Sequence, residues 1–322
     1  MARLSDWTDP AFIAEVHAWL RQEAGRLGIE LVGDVTQPYV HPWSTVFRAA
    51  TAGDALFLKV CGPSQAFEPR LAATLARDGD ALVPRPLAVH PTKPWMILTD
   101  GGTKLRDAYA GPAVLDAWMR ILPRYAEFQR RFLGRDDELL ATGLPDHRLE
   151  RLASQLAPML DDDRVGRVPG ALSESDRAAL HDLLPAVDAR CKDLASIGIG
   201  ATAQHDDLHD GNVLVGRSEV VFDWGDACLT HPFLTLRVTL GFIAYRAAIP
   251  VTDPVIIRLR DAYLEPWSDL APMTALREAA ELGRVLGAAT RALCWYRVLT
   301  LVGGELDEPD GWLRTLAADL PR

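Results

Sequence analysis

The most constraining feature of the sequence is a short hairpin pattern inside a long helical region. Two apolar runs, 212–215 and 220–222, are joined by the polar segment Gly216-Arg217-Ser218-Glu219, which predicts a tight β-hairpin. After Gly102 the remaining chain follows helical spacing, and it predicts helices over 114–132, 146–160, 173–196, 254–263 and 273–301. The C-terminal part is therefore predicted to be helical with one hairpin inserted.

The N-terminal part has a different pattern. Asp9 and Pro10 predict the start of an amphipathic helix that ends near Gly28. Short apolar runs at 35–40, 45–50, 55–60 and 95–99 predict antiparallel strands, with a helix expected over 71–76. We therefore expect an α+β, bilobed fold. Residues 1–100 form a small antiparallel β lobe with a leading helix, and residues 101–322 form a larger, mainly helical lobe.

Polar residues lie at the ends of the predicted hairpin. His205, Asp207 and Asn212 follow the pattern H-x-D-x-x-x-x-N, and Asp223-Trp224-Gly225 ends an apolar strand eleven residues after the Asn. Phosphoryl transfer needs a carboxylate that accepts the proton of the attacking hydroxyl, and oxygen ligands for Mg²⁺ beside the nucleotide phosphates. Asp207 fits the first role, and Asn212 with Asp223 fits the second.

These motifs resemble the aminoglycoside phosphotransferase and choline kinase group, which has a protein-kinase-like fold. The resemblance implies that Asp207 is the catalytic base, that Asn212 and Asp223 bind Mg²⁺, and that His205 is structural. It also implies transfer of the γ-phosphoryl group of ATP or GTP to a hydroxyl of a small molecule. The sequence departs from the family's pattern next to Asp207, because Asp206 occupies a position where the family commonly has glycine.

Lys59 is the candidate phosphate-binding cation. Alternation along 55–60 places Leu58 and Val60 on one strand face and Lys59 on the other. The chain has only four lysines among its 34 basic residues, so a lysine here favours a compact point charge over a guanidinium. The resemblance implies that Glu68 pairs with Lys59, although Pro69 places Glu68 at a helix entrance.

Further nucleotide contacts are expected from two segments. Ser44 and Thr45 lie where the resemblance places the loop over the phosphates, and their hydroxyl or backbone N–H groups could donate to phosphate. The adenine base is expected along 98–102, which includes Thr99. A plain turn or strand role is open for both segments.

The acceptor is expected to be a small molecule, and cationic molecules such as an aminoglycoside or an amino sugar are one candidate class. Such molecules are bound by carboxylates, and quaternary amines by aromatic side chains. The candidates in the helical part are Asp226, Glu265, Trp267, Asp269, Glu281 and Trp295.

Composition narrows the remaining classes. A formal charge of −10 argues against nucleic-acid binding, and no uncharged apolar run approaches the length of a membrane span. Four cysteines without metal-site spacing favour free thiols in the cytoplasm. Two alternatives stay open: a metal-dependent hydrolase that uses His205, Asp207 and His209, and a nucleotide-binding module without catalytic activity.

Overall fold

The computed structural model describes residues 4–77, 82–165, 172–302 and 308–320. Its helices are α1 (Pro10–Arg26), α2 (Glu68–Leu75), α3 (Leu105–Ala108), α4 (Pro112–Arg130), α5 (Asp136–Leu140), α6 (Leu149–Leu160), α7 (Glu174–Ala195), α8 (Leu236–Ala247), α9 (Pro254–Leu264), α10 (Met273–Val302) and α11 (Glu308–Asp319). Its strands are β1 (Leu31–His41), β2 (Ser44–Thr51), β3 (Leu56–Cys61), β4 (Ala88–Val89), β5 (Trp95–Thr99), β6 (Thr103–Lys104), β7 (Thr202–Gln204), β8 (Val213–Val215), β9 (Glu219–Val221) and β10 (Cys228–Thr230).

The N-terminal part is one antiparallel sheet with the strand order β1-β2-β3-β5-β4. Helix α1 begins after Asp9, whose carboxylate accepts hydrogen bonds from the backbone N–H groups of the first turn. Its buried side chains, including Val16 and Leu20, pack on one face of the sheet with Phe47 and Leu58. Helix α1 therefore covers one face, and the opposite face of the sheet is left for a site.

The C-terminal part is helical around one large apolar core. Helix α10 passes close to the 3-10 turn Pro232–Thr235, because Gly283 and Gly287 carry no side chain. A Cβ atom at Gly283 would lie 2.7 Å from the Cβ of Phe233, and one at Gly287 would lie 2.5 Å from the Leu234 carbonyl oxygen. This close packing fixes the position of the next turn of α10.

The predicted hairpin is formed by β8 and β9, and β6 adds a third strand to it. Gly102 has φ +104°, and a Cβ there would lie 2.3 Å from the Val215 carbonyl oxygen. Glycine is therefore required where the connection from β5 crosses the hairpin. This contact joins the end of the N-terminal sheet to the hairpin.

The predicted α+β architecture, an antiparallel N-terminal sheet followed by a mainly helical part, is confirmed, while some elements differ from the predictions. Strand β1 begins at Leu31 rather than at residue 35, and the helices α8 and α11 had not been predicted. Helix α10 is long and apolar enough to cross a membrane by length and composition. Of its most apolar stretch, 61% is buried within the protein, so this helix is weak evidence for a membrane span.

Candidate functional site

A cavity of about 650 Å³ lies between the uncovered sheet face and the helical part. Its lining contains seven of the eight site residues predicted from the sequence: Ser44, Lys59, Glu68, Thr99, Asp207, Asn212 and Asp223. The structure thus brings together side chains that are up to 179 positions apart, from Ser44 to Asp223.

Thr45 is the predicted residue that does not line the cavity. Neighbouring side chains on β2 point to opposite faces, so Ser44 lines the cavity and Thr45 is fully buried on the other side. The Thr45 hydroxyl donates to the Tyr39 carbonyl oxygen at 2.8 Å and accepts from Gln37 Nε2 at 2.8 Å. The Thr45 hydroxyl therefore faces away from the cavity, and the predicted contact of this hydroxyl with phosphate is corrected.

Lys59 is held by two carboxylates. Its Nζ lies 2.7 Å from Glu68 Oε2 and also forms an ion pair with Asp223 Oδ1. Burial alone would lower the pKa of Lys59, but Asp223 and Glu68 outweigh burial and raise it, so the ammonium stays charged. Glu68 is the first residue of α2 and has Pro69 after it, so the helix entrance expected from Pro69 allows the pairing.

Glu68 is buried and is bonded on both oxygens. Cys61 donates its thiol to Glu68 Oε2 at 3.3 Å, while Lys59 contacts both carboxylate oxygens. Burial raises the pKa of Glu68, and Lys59 opposes that rise. A buried charge without a partner is costly, so Lys59 and Glu68 stabilise each other in their ionised forms.

His205 holds the loop that carries Asp207. Its Nε2 donates to the Phe222 carbonyl oxygen at 2.8 Å, and its Nδ1 accepts the Asp207 backbone N–H at 3.3 Å. Burial lowers the pKa of His205, and a neutral ring satisfies both bonds. Because both nitrogens are used inside the fold, His205 cannot be a metal ligand.

The hydrolase alternative therefore fails on its proposed ligand set of His205, Asp207 and His209. Among the described residues, no group of three or more His, Cys, Asp or Glu side chains is arranged to hold a metal ion. His209 Nδ1 accepts the backbone N–H of Gly211 at 2.9 Å, and its ring stacks on Phe242. His209 is thus part of the loop packing beside Asp207.

The backbone conformation at Asp206 is compatible with both aspartate and the glycine that the family commonly has at this position. Its φ is +63°, a left-handed conformation that glycine adopts without cost and that Asp tolerates better than most residues. The Asp206 side chain is buried, and its Oδ1 accepts the Thr290 hydroxyl at 2.7 Å. Burial raises the pKa of Asp206 to about 7.

Asp207 lines the cavity, and its carboxylate is contacted by Asn212, by Arg291 and by His209, whose Nε2 lies 3.4 Å from Asp207 Oδ2. Asn212 Nδ2 donates to Asp207 Oδ2 at 3.0 Å and to the Asp207 backbone carbonyl at 2.9 Å. On the other oxygen, Arg291 Nη2 lies 3.3 Å from Asp207 Oδ1. The carboxylate is thereby held on both oxygens.

Arg291 is the site residue that the sequence analysis missed. It lies on α10 with a side chain only 4% exposed, and it also forms ion pairs with Asp226 Oδ2 at 2.9 Å and Asp206 Oδ2 at 3.8 Å. One guanidinium thus joins three carboxylates. The available signal was an isolated charge in an apolar helical stretch, since residues 285–296 contain no other charged side chain.

Asn212 and Asp223 fit a divalent cation. Asn212 uses its Nδ2 for hydrogen bonds, and Asp223 uses Oδ1 for Lys59. Within the described part of the chain, Asn212 Oδ1 and Asp223 Oδ2 have no hydrogen-bond partner, and both side chains line the cavity. Two free oxygen donors at one cavity wall suit Mg²⁺, which keeps several further ligands from water and phosphate.

The acceptor candidates are divided by the structure. Asp226 and Trp295 line the cavity. The other four lie outside its lining: Glu265, Trp267, Asp269 and Glu281. Trp267 belongs to the core, and Asp269 is paired with Arg130 at 2.6 Å on the surface.

Comparison with known proteins identifies the class to which this fold and site belong. Residues 36–278 match the APH model, described as the phosphotransferase enzyme family. The chain belongs to this family. The prediction of an enzyme, a phosphotransferase with an alcohol group as acceptor, is confirmed, and the chain is a small-molecule kinase. No curated protein sequence matches the chain significantly.

Solved structures share the fold at low sequence identity. An ethanolamine kinase from Plasmodium vivax is similar over 97% of this chain and 89% of its own, with TM-score 0.63 and 12% identity. A macrolide 2′-phosphotransferase from Brachybacterium faecium is similar over 94% and 97%, with TM-score 0.59 and 18% identity. The GDP and kanamycin complex of an APH(2″) enzyme is similar over 94% and 98%, with TM-score 0.58 and 13% identity.

Proposed function

We propose that this kinase transfers the γ-phosphoryl group of ATP or GTP to a hydroxyl of a small molecule, with Asp207 as the base. The observation that carries the proposal is the convergence of two groups on one cavity. Lys59 with its two carboxylates lies at the sheet, and Asp207 with Asn212 lies at the helical part. A cation for phosphate and a base for hydroxyl are the groups that phosphoryl transfer needs.

The nucleotide is proposed to bind along the sheet face. Apolar side chains of the sheet face suit one side of a purine ring, and those of the β8–β9 hairpin region suit the other: Val46, Phe57, Met96 and Leu98 from the sheet, and Leu214 and Phe222 from the hairpin region. The segment 98–102 also lines it, so its backbone groups, together with Thr99, can contact the base edge. Lys59 and Ser44 are then placed for the phosphates, and the GDP complex of the similar APH(2″) structure supports GTP as an alternative to ATP.

Asn212 and Asp223 are proposed to hold Mg²⁺ through their unbonded oxygens. The ion would supply charge neutralisation for the phosphate oxygens when bound. Asp223 contacts Lys59 directly, so the same carboxylate joins the cation that binds phosphate to the proposed metal position.

Asp207 is proposed to take the proton from the acceptor hydroxyl. The acceptor oxygen then bonds to the γ-phosphorus while the bond from that phosphorus to the bridging oxygen breaks, which leaves a nucleoside diphosphate. Asn212 and Arg291 hold the carboxylate in one orientation before the acceptor binds. The similar structures named as ethanolamine kinase and macrolide phosphotransferase support a hydroxyl-bearing small acceptor.

A thermal-shift titration with ATP and with GTP, each with and without Mg²⁺, tests this proposal. We expect a Mg²⁺-dependent rise in Tm with one nucleotide, and we expect Asp223→Ala to remove the Mg²⁺ dependence. The matched control is Asp269→Ala, since that carboxylate is paired at the surface away from the cavity. Nucleotide binding that is equal in Asp223→Ala and the parent would contradict the proposed metal position.

The module without catalytic activity is less well supported, because Lys59, Asp207, Asn212 and Asp223 are all present and line one cavity. Turnover separates the two readings, since a binding module gives a nucleotide shift without any nucleoside diphosphate. We also place the enzyme in the cytoplasm, where nucleotide is available. The four cysteines, Cys61, Cys191, Cys228 and Cys294, are free and buried, in agreement with this.

A further inference from the structure

The cavity continues past Asp207 to an aromatic corner. Trp43, in the turn between β1 and β2, meets Trp295 of α10 with ring centres 5.5 Å apart and planes at 84°. His41 stacks on Trp43 at 5.3 Å. Trp43 and Trp295 line the cavity together with Gln65 and Val298. The sheet part and the helical part thus each contribute an indole ring to one corner.

Contacts on α10 place this corner beside the base. The guanidinium of Arg291 lies 5.8 Å from the ring centre of Trp295, and the same guanidinium is bonded to Asp207. An acceptor whose hydroxyl reaches Asp207 therefore has its body near the indole rings. The nucleotide base is assigned to the segment 98–102 and the phosphates to Lys59 and Ser44, so Trp295 and Val298 are left for the second substrate.

The charges at the corner are already paired. Asp226 is its carboxylate, and it is bonded by Arg291 at 2.9 Å and by Gln65 Nε2 at 3.2 Å. Gln65 is itself held tightly, because a Cβ at Gly225 would lie 2.4 Å from its Cδ. Burial would raise the pKa of Asp226, but Arg291 outweighs burial and lowers it. This carboxylate is therefore charged, bonded and unavailable to an amine.

The arrangement disfavours a cationic ligand. A polycation needs carboxylates without partners, and the acceptor candidates Glu265, Asp269 and Glu281 lie outside the cavity. Asp100 and Asp107 do line the cavity, but they belong to the connection after β5 and to α3, next to the segment assigned to the nucleotide and not to the corner. A quaternary ammonium could bind an indole face, but Arg291 already brings a positive charge next to Trp295. Apolar surface and indole edges remain as the main recognition elements.

We propose that the corner formed by Trp43, Trp295 and Val298 binds the apolar body of an uncharged alcohol, whose hydroxyl reaches Asp207. This inference rests on the proposed function and narrows its acceptor from small alcohols of any charge to neutral ones. Burial of an aromatic or aliphatic body against the paired indole rings would provide most of the binding energy.

The test measures product formation with Mg²⁺ and the preferred nucleotide on two sets of probes. The first set contains neutral aryl and alkyl alcohols, and the second contains the same skeletons with added amino groups, plus kanamycin and choline. We expect phosphorylated product from the neutral set at a kcat/KM at least about tenfold above the aminated counterparts, as expected for about 1.4 kcal/mol of discrimination. Product from the cationic probes alone would overturn the proposal.

Variants locate the acceptor. We expect Trp295→Ala to raise the acceptor KM by about tenfold or more, in line with the loss of one aromatic contact, while the nucleotide KM stays unchanged. Trp295→Phe is expected to give a smaller rise, and it keeps the test valid if the alanine variant is unstable. The control is Tyr245→Ala, an exposed aromatic on α8 outside the cavity.

A raised acceptor KM in Tyr245→Ala with none in Trp295→Ala would overturn the proposed corner. The proposed function fails by a different result, namely the absence of Mg²⁺-dependent nucleotide binding in the parent. The two failures are therefore distinguishable in the same set of proteins.

Discussion

The two charged centres of the cavity differ in how they are built. Lys59 is a cation held by two acids, Glu68 and Asp223, while Asp207 is an acid held by the buried cation Arg291. The first centre lies at the sheet face, where Glu68 follows Lys59 after only nine residues. The second joins the loop that carries Asp207 to a helix residue 84 positions later. The Lys59–Glu68 pair is therefore local in the chain, whereas packing brings in Asp223 at the first centre and Arg291 at the second from 164 and 84 residues away.

This difference has an energetic side. The centre at Lys59 opens to the cavity, since the Asp223 side chain is 44% exposed, and solvent weakens ion pairs there. Arg291 is 4% exposed and lies between three carboxylates. Removal of one member of a buried ion-pair network destabilises a protein more than removal of one member of an exposed ion pair. We therefore expect variants at Lys59 to affect ligand binding and variants at Arg291 to affect both stability and turnover.

The largest effect is expected for the base itself. Asp207→Asn keeps the size of the side chain but cannot accept the hydroxyl proton, so kcat should fall by about 10²- to 10⁴-fold. Nucleotide affinity should be retained, because Lys59, Asn212 and Asp223 are unchanged. A coupled assay for nucleoside diphosphate measures kcat, and a thermal shift with Mg²⁺-nucleotide measures binding. Turnover at the parent rate in Asp207→Asn would show that Asp207 is not the base.

Arg291 comes next, and it distinguishes positioning from folding. Arg291→Met leaves Asp206, Asp207 and Asp226 without their shared cation, so the free energy of unfolding should fall by about 3–5 kcal/mol. Arg291→Lys keeps the charge but not the two-sided geometry of the guanidinium. We expect this conservative variant to stay folded with kcat about 10²-fold lower, because a base misplaced by about 1 Å loses that much.

A split between kcat and KM is the informative readout for Arg291→Lys. If the guanidinium positions Asp207, kcat falls while the nucleotide KM is unchanged. The matched control is Arg284→Met, two turns earlier on the same helix, whose partners Glu281 and Asp319 lie nearer the surface. Its unfolding free energy should change by about 1 kcal/mol or less. If Arg291→Lys and Arg284→Met lost kcat equally, both arginines would have a purely structural role.

The same comparison explains what could be predicted from the sequence. The fold class was predictable because the short runs of the sheet and the long amphipathic helices have different periods. Lys59, Asp207, Asn212 and Asp223 could be grouped from the sequence because the motifs at 205–225 resemble those of a known family, and the structure places all four at one cavity. Thr45 was assigned with Ser44 by position alone, although strand alternation turns neighbouring side chains to opposite faces.

Arg291 and the aromatic corner were not predictable in the same way. The contact of Arg291 with Asp207 depends on the seating of α10 against the turn Pro232–Thr235, which Gly283 and Gly287 allow. Trp43 and Trp295 meet only when the sheet and the helical part are assembled. No local pattern encodes such distances, since they result from packing between elements that are far apart in the chain.

The smallest effect is expected for Asp206, which belongs to the buried centre around Arg291. Burial raises the pKa of Asp206 to about 7 in the folded protein, above the unfolded value of about 4. The folded state therefore binds the proton more tightly, and this stabilising contribution is full below about pH 4 and is lost as pH rises through about 7. Asp206→Asn removes the titration, and Asn tolerates the left-handed conformation as Asp does.

We expect the difference in unfolding free energy between Asp206→Asn and the parent to shift in favour of the variant by about 2 kcal/mol between pH 5 and pH 8. Urea unfolding at each pH measures it. Taking the difference cancels opposing groups, such as His147, whose pKa burial lowers to about 4. Parallel curves across this range would mean that Asp206 stays ionised beside Arg291. Arg291 would then bind three charged carboxylates. All acidic groups of the buried centre would be ionised, as they are at Lys59.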